Sequence, residues 1–194
     1  LEEFEFDVRL KNMLQEKWGI NSLFPPQAEA LPNTLKGRNL MLAVPTASGK
    51  SLVAHITLAN RLIGDLSGQR GIYIVPLKAL ASEKYEELKE VCSSVGLKVG
   101  LAIGDRSSET SLVENSDVLV CTSEKLDSML RSKPSLLDDI GIVVADEFHL
   151  MQDPSRGPTL EILLSRIRHS SPRVQILALS ATVGNAQELS EWLE

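Results

Sequence analysis

A chain of 194 residues, 43% hydrophobic and 24% charged, has the composition of a folded domain with one sizeable core, which excludes a disordered or fibrous polypeptide. With 20 Lys and Arg against 26 Asp and Glu, its formal charge is −6. That is the wrong sign for wrapping a polyanion by bulk electrostatics, so any contact with nucleic acid must be local.

Taken in order, Asp7 stands where it can cap a helix that buries Leu10, Met13, Leu14 and Trp18 and stops at Gly19. A second helix is expected after Phe24-Pro25-Pro26-Gln27, because proline suits a first helical turn. Gln27 reads from its neighbours as a solvated helix-start amide, though its donor and acceptor could also match one edge of adenine. Pro32 is expected to kink or end this helix.

Leu40-Met41-Leu42-Ala43 then reads as a strand running into Val44-Pro45-Thr46-Ala47-Ser48-Gly49-Lys50-Ser51, with Leu52, Ile56, Ala59 and Ile63 following at helical spacing. Strand, loop and helix in that order make a phosphate loop. Main-chain N–H groups converge at a helix N-terminus, a lysine meets the outer phosphates, and a hydroxyl reaches the accompanying magnesium. Val44 occupies the usual first glycine position and Ala47 another common one, so the strict G-x-x-x-x-G-K-[ST] pattern fails at its start. By itself the run could also be a glycine turn opening a helix.

Gly71 to Val75 is expected to be a buried strand leading into Pro76-Leu77-Lys78-Ala79-Leu80, with a helix from about Ala81 to Val95 that places Tyr85, Leu88 and Cys92 on one face. Leu97, Val99, Leu101 and Ile103 alternate as a half-buried strand ending at Gly104-Asp105, and the polar stretch from Arg106 to Asn115 reads as a surface excursion. Val118 to Cys121 forms the next strand, carrying Thr122-Ser123-Glu124-Lys125 at its end.

Ile140 to Ala145 is a fully apolar strand running into Asp146-Glu147-Phe148-His149. A loop with Arg156 and Gly157 precedes a helix burying Leu160, Leu163, Leu164 and Ile167. Val174 to Leu179 makes the last strand, which ends in Ser180-Ala181-Thr182, and Asn185 with Glu188 forms a capping box for a helix through Leu189, Trp192 and Leu193.

Strands alternating with helices imply an α/β fold with a parallel sheet, whose ligands gather beyond the carboxyl ends of the strands. Every polar motif named above lies at such an end. Two adjacent acids after a buried strand suit a phosphate loop, one holding the metal and the next activating water, or else form a solvated turn.

Cys92 and Cys121 have no paired spacing and the three histidines are scattered, which points to a reducing, cytoplasmic location without structural zinc. No stretch approaches the roughly 20 apolar residues of a membrane span, so no membrane partner is expected. One domain over residues 1–194 is expected, with 1–35 as an N-terminal helical segment. Because the chain begins with Leu1 and ends inside an apparent helix, the expectation is a fragment of a longer protein.

Six blocks in order resemble the first RecA-like domain of superfamily 2 DExH-box helicases, in particular the HelQ-type DNA repair helicases of the Ski-like branch. Phe24 to Gln27 resembles the Q motif, Pro45 to Ser51 motif I, and Pro76 to Leu80 motif Ia. Thr122 to Lys125 is similar to motif Ib, Asp146 to His149 to motif II, and Ser180 to Thr182 to motif III; Arg156-Gly157 with Leu160-Glu161 resembles a segment of this branch.

The resemblance implies a three-layer, RecA-like P-loop NTPase domain with a mostly parallel sheet, using ATP and Mg2+. Phe24 and Gln27 would hold adenine, while Pro45, Thr46, Ala47, Ser48, Gly49, Lys50 and Ser51 would hold the phosphates. Ser51 and Asp146 would bind the metal, and Glu147 would be the general base.

Pro76, Lys78, Ala79, Gly104, Asp105, Thr122, Ser123 and Lys125 would face a single nucleic-acid strand, DNA by preference. His149, Ser180, Ala181 and Thr182 would couple nucleotide state to strand movement. A second RecA-like domain would complete a 3′-to-5′ helicase; an RNA helicase of the same branch and a nucleotide-gated clamp are the alternatives. Phe148 stands where the resemblance leads one to expect an aliphatic residue, which leaves its packing open.

Overall fold

A computed structural model of the chain describes residues 1, 3–45, 48–104, 115–155, 157–182 and 190–191. Thr46, Ala47, Asp105, Arg156, the Asn185 and Glu188 capping box, Leu189, Trp192 and Leu193 lie outside the described residues.

Helix α1 spans Val8–Glu16, and the Asp7 carboxylate caps it by accepting the Arg9 N–H at 2.8 Å. Trp18 falls beyond its last turn. The indole donates instead to Glu90 Oε2 at 2.7 Å, and Gly19 follows at φ +64°. Helix α2 spans Pro25–Thr34 with Pro32 inside it. The proline does not end the helix at once, because near a C-terminus it removes a single intrahelical bond, and the Leu35 N–H still reaches the Leu31 carbonyl at 2.9 Å.

The strands are β1 (Leu40–Ala43), β2 (Arg70–Val75), β3 (Val99–Ala102), β4 (Val118–Thr122), β5 (Ile140–Ala145) and β6 (Gln175–Ser180). Between them run α3 (Lys50–Ile63), α4 (Lys78–Ser94), α5 (Ser123–Ser132) and α6 (Gly157–Ser170). The sheet order is β1-β6-β5-β2-β4-β3, and every neighbouring pair is parallel.

Period-two alternation splits the strand side chains between two faces. Tyr73, Val75, Val120, Val144 and Leu179 join the core under α1 to α4. Ile74, Cys121, Val143, Ala145 and Ala178 join the one under α5 and α6. Phe148, fully buried, belongs to this second core, which settles where the unexpected aromatic goes. Each buried Val, Leu, Ile or Phe among them contributes about 1.5–3 kcal/mol of transfer free energy, so the helix layers hold the sheet from both sides.

Two boundaries differ from expectation. Helix α4 starts at Lys78 rather than near Ala81, so Lys78, Ala79 and Leu80 form its first turn. β3 keeps only Val99–Ala102 of the predicted alternation, with Gly100 and Ala102 the buried pair.

At the amino end of β6 a buried polar network ties three elements together. Gln175 donates to the carbonyls of Thr34 at 2.7 Å and Arg38 at 2.9 Å, and accepts from Arg61 Nε at 3.2 Å. Replacing Gln175 with leucine leaves those groups buried and unpaired. The expected loss is about 2–4 kcal/mol, read as a lower urea midpoint; an unchanged midpoint would show the network to be neutral.

Candidate functional site

The strand order divides the carboxyl edge of the sheet in two. The neighbours β1, β6 and β5 lead into the phosphate loop, Ser180-Ala181-Thr182 and Asp146-Glu147-Phe148-His149, whereas β2, β4 and β3 lead into Pro76, Thr122 and Gly104.

On the first half, Gly49 caps α3 in the left-handed region at φ +70°. Glycine is required there by the backbone angle, and a Cβ would lie 2.4 Å from Gln27 Nε2, so a side chain would also displace the Gln27 amide. Gln27 is buried. Its Nε2 donates to the Gly49 carbonyl at 2.8 Å and its Oε1 accepts the Phe24 N–H at 2.9 Å. The amide read from sequence as a solvated helix start is thus a clamp between α2 and the phosphate loop, while Phe24 is 63% exposed at the cleft mouth.

Lys50 and Ser51 open α3, with Lys50 only 7% exposed. Opposite them Asp146 follows β5, its N–H donating to the Ile74 carbonyl at 2.9 Å. Its Oδ1 accepts the Glu147 N–H and its Oδ2 accepts the Tyr73 hydroxyl, each at 2.8 Å. Glu147 is the only non-glycine residue at positive φ (+53°) among the described residues, a conformation that costs about 1–3 kcal/mol. The turn aims its carboxylate along the same cleft.

These groups line a cavity of about 960 Å³ that also takes in Trp18, His55, Lys84 and Glu87. That is ample for a nucleotide. Among the described residues no three His, Cys, Asp or Glu side chains cluster to hold a metal by themselves. A hydroxyl and a carboxylate facing a phosphate cradle suit Mg2+, which takes one or two protein oxygens and completes its shell with phosphates and water.

Sequence reasoning missed two residues here. Tyr73, a phenol in an otherwise aliphatic strand, is fully buried; burial and then the Asp146 charge hold its pKa well above the usual phenol range, so it stays a donor. His55 is buried with both ring nitrogens unpartnered. Burial and then Lys84 push its pKa down to about 3, so it is neutral near pH 7 and its 3.6 Å approach to Glu87 is not an ion pair. The one signal for either was a polar ring at a position whose neighbours are core residues.

The nucleotide half is cross-tied. His149 Nδ1 accepts the Ala181 N–H at 3.3 Å and lies 3.5 Å from Glu147 Oε2, while the Val44 N–H donates to the Ser180 carbonyl at 3.3 Å. Ser180 is buried and Thr182 exposed. The region carrying the metal-side acids, the β6 end and the loop therefore shares direct bonds.

On the second half, Lys78 and Ala79 are exposed in the first turn of α4, and Pro76 is half-buried before them. Thr122 and Ser123 are buried, and Thr122 Oγ1 caps α5 by accepting the Lys125 N–H at 3.3 Å. The Lys125 ammonium donates to the Gly104 carbonyl. The threonine thus shapes the edge and Lys125 braces two strand ends. What faces outward is the start of α4, whose cap has no side-chain hydrogen bond, and, past the buried Thr122 and Ser123, the first turn of α5 from Glu124; both helix N-termini carry partial positive charge. Gly157 shows a further close approach: a Cβ would fall 1.8 Å from the Met151 carbonyl.

Comparison with known proteins places this geometry. The chain is 49% identical over its whole length to an ATP-dependent DNA helicase Hel308 of Thermococcus kodakarensis, of which it spans 17%. Among solved structures it superposes on the DUF1998 helicase MrfA with a TM-score of 0.84 at 26% identity, covering 97% of this chain and 31% of that one. It also superposes on the Mycobacterium smegmatis helicase Lhr, bound to ssDNA and AMP-PNP, with a TM-score of 0.83 at 28% identity, covering 97% and 26%. The DEAD/DEAH box helicase family matches residues 24–189, and with the phosphate loop and paired acids meeting across one cleft, the chain belongs to that family as its first RecA-like domain.

Proposed function

We propose that the chain is the ATP-binding motor domain of a 3′-to-5′ DNA helicase that acts on single-stranded or forked DNA in repair, working with a second RecA-like domain. One observation carries the reading. A single sheet edge sets the nucleotide groups on β1, β6 and β5 beside helix starts on β2 and β4 that suit a phosphate backbone.

Phe24 stacks adenine at the cleft mouth, and Gln27 holds the loop while its second Oε1 lone pair remains for the base. Pro45, Thr46, Ala47, Ser48 and Gly49 cradle the phosphates, and Lys50 meets the outer ones. Ser51 and Asp146 hold Mg2+, which when bound neutralises charge on the phosphate oxygens. Glu147 orients the attacking water and accepts its proton. His149, Ser180, Ala181 and Thr182 pass changes at the cleft to the edge.

There Pro76, Lys78, Ala79, Gly104, Asp105, Thr122, Ser123 and Lys125 form the surface for a single strand, read through its backbone. No helix among the described residues is long and apolar enough to cross a membrane. The two buried free thiols, each pushed up to about 12 by burial, fit a reducing, cytoplasmic setting.

A chain of charge −6 that meets the strand at two helix starts contacts about two or three phosphates. Its affinity for single-stranded DNA should be weak and independent of sequence, falling with log salt at a slope near −0.7 per contact. Fluorescence anisotropy across a salt series measures it. Tight, sequence-selective duplex binding would overturn the reading, and a marked preference for RNA strands would move it to the RNA branch.

A further inference from the structure

We propose that Tyr73 is a positioning residue for the metal-side carboxylate, setting the rotamer of Asp146 through one buried phenol. This inference rests on the nucleotide reading above and names a residue in β2 that no helicase block contains. Its motivation is a chain of contacts. The Tyr73 hydroxyl donates to Asp146 Oδ2 at 2.8 Å, and Asp146 lines the same cleft as Lys50 and Ser51.

The phenol's proton is committed to Asp146, so the phenol fixes the carboxylate while the remaining lone pairs of the carboxylate stay available to the metal.

The geometry also fixes the carboxylate plane. Asp146 Oδ1 is held by the Glu147 N–H at 2.8 Å, so with Oδ2 held by Tyr73 neither oxygen can turn away. Tyr73 cannot itself turn, since it is fully buried in the central strand β2 beside β5, in register with Val144, and packs on the His55 ring at 5.9 Å between centroids. Groups that orient metal ligands in this way typically change metal affinity by about 10- to 100-fold when removed.

The test is Tyr73→Phe, which keeps the ring and its packing. Isothermal titration measures ADP binding in EDTA and again across a Mg2+ series, and Mn2+ paramagnetic resonance follows the metal directly. The expected result is ADP affinity in EDTA equal to wild type, with the Mg2+ concentration needed for half-maximal enhancement raised about 10-fold or more.

In an Asp146→Asn background the effect of Tyr73→Phe should shrink, because the group it orients is gone. A Mg2+ or Mn2+ dependence equal to wild type would overturn the proposal. So would an equal shift in both backgrounds, or weaker ADP binding in EDTA, since either would mark a general packing defect. If wild type itself shows no Mg2+-dependent nucleotide binding, the nucleotide reading fails, an outcome distinct from the failure of Tyr73 alone.

Discussion

Lys50→Ala is expected to weaken binding of ATP or ADP with magnesium by about 10- to 100-fold while leaving the fold intact. The size follows from charge-assisted hydrogen bonds, worth about 1.5–3 kcal/mol each, lost at the one cation that opens α3. Lys84, the other lysine lining the cleft, cannot replace it, since its ammonium is held by Glu87 at 2.9 Å with Glu83 at 3.9 Å. Stability should hold or rise, because alanine is the better helix former and the change removes a mostly buried cation. Calorimetry gives the affinity and a thermal melt the fold. Equal nucleotide affinity in mutant and wild type would take the phosphate contact away from Lys50.

What the sequence showed well was whatever short-range chemistry dictates. The runs Ile140 to Ala145 and Val174 to Leu179 were recognisable as strands because the first is fully apolar and the second apolar but for Gln175, and both proved buried over nearly the predicted span. The motifs at their ends followed, since a parallel sheet puts strand termini at one edge.

The start of α4 was invisible because Leu77 caps it without a side-chain acceptor, so no capping signal precedes Lys78. Gln27, Tyr73 and His55 were misjudged or missed for a different reason. Gln27 bonds Gly49 and Tyr73 bonds Asp146, 22 and 73 positions away in sequence, and the His55 ring packs against Tyr73, so only the folded packing brings these groups together. Thr122 shows the reverse case: a residue chosen for the strand surface serves local capping first. For Thr46, Ala47 and the Asn185 capping box, which lie outside the described residues, the expectations from sequence stand as proposals.

The second large effect concerns turnover. This chain alone should hydrolyse ATP at least about 10³-fold more slowly than a polypeptide that adds the second RecA-like domain, both saturated with ATP, magnesium and single-stranded DNA, and it should not unwind. Charge builds on the transferred phosphoryl group in the transition state, and Lys50 with the metal-side groups meets it from one side of the cleft. An opposing arginine is worth about 10³ to 10⁵ in rate in related phosphoryl-transfer sites. Among the described residues lining the cleft there is no arginine. Arg166 bonds Asp127 of α5 at 3.0 Å, and Arg168 sits on the same α6, so both belong to the layer across the sheet from α3 and α4. Arg156, the remaining candidate, lies outside the described residues, and Arg156→Ala in the chain alone tests it directly. If the chain alone turns over as fast as the longer polypeptide, it carries its own finger; loss of that rate in Arg156→Ala would then identify the residue and end the proposed division of labour between two domains.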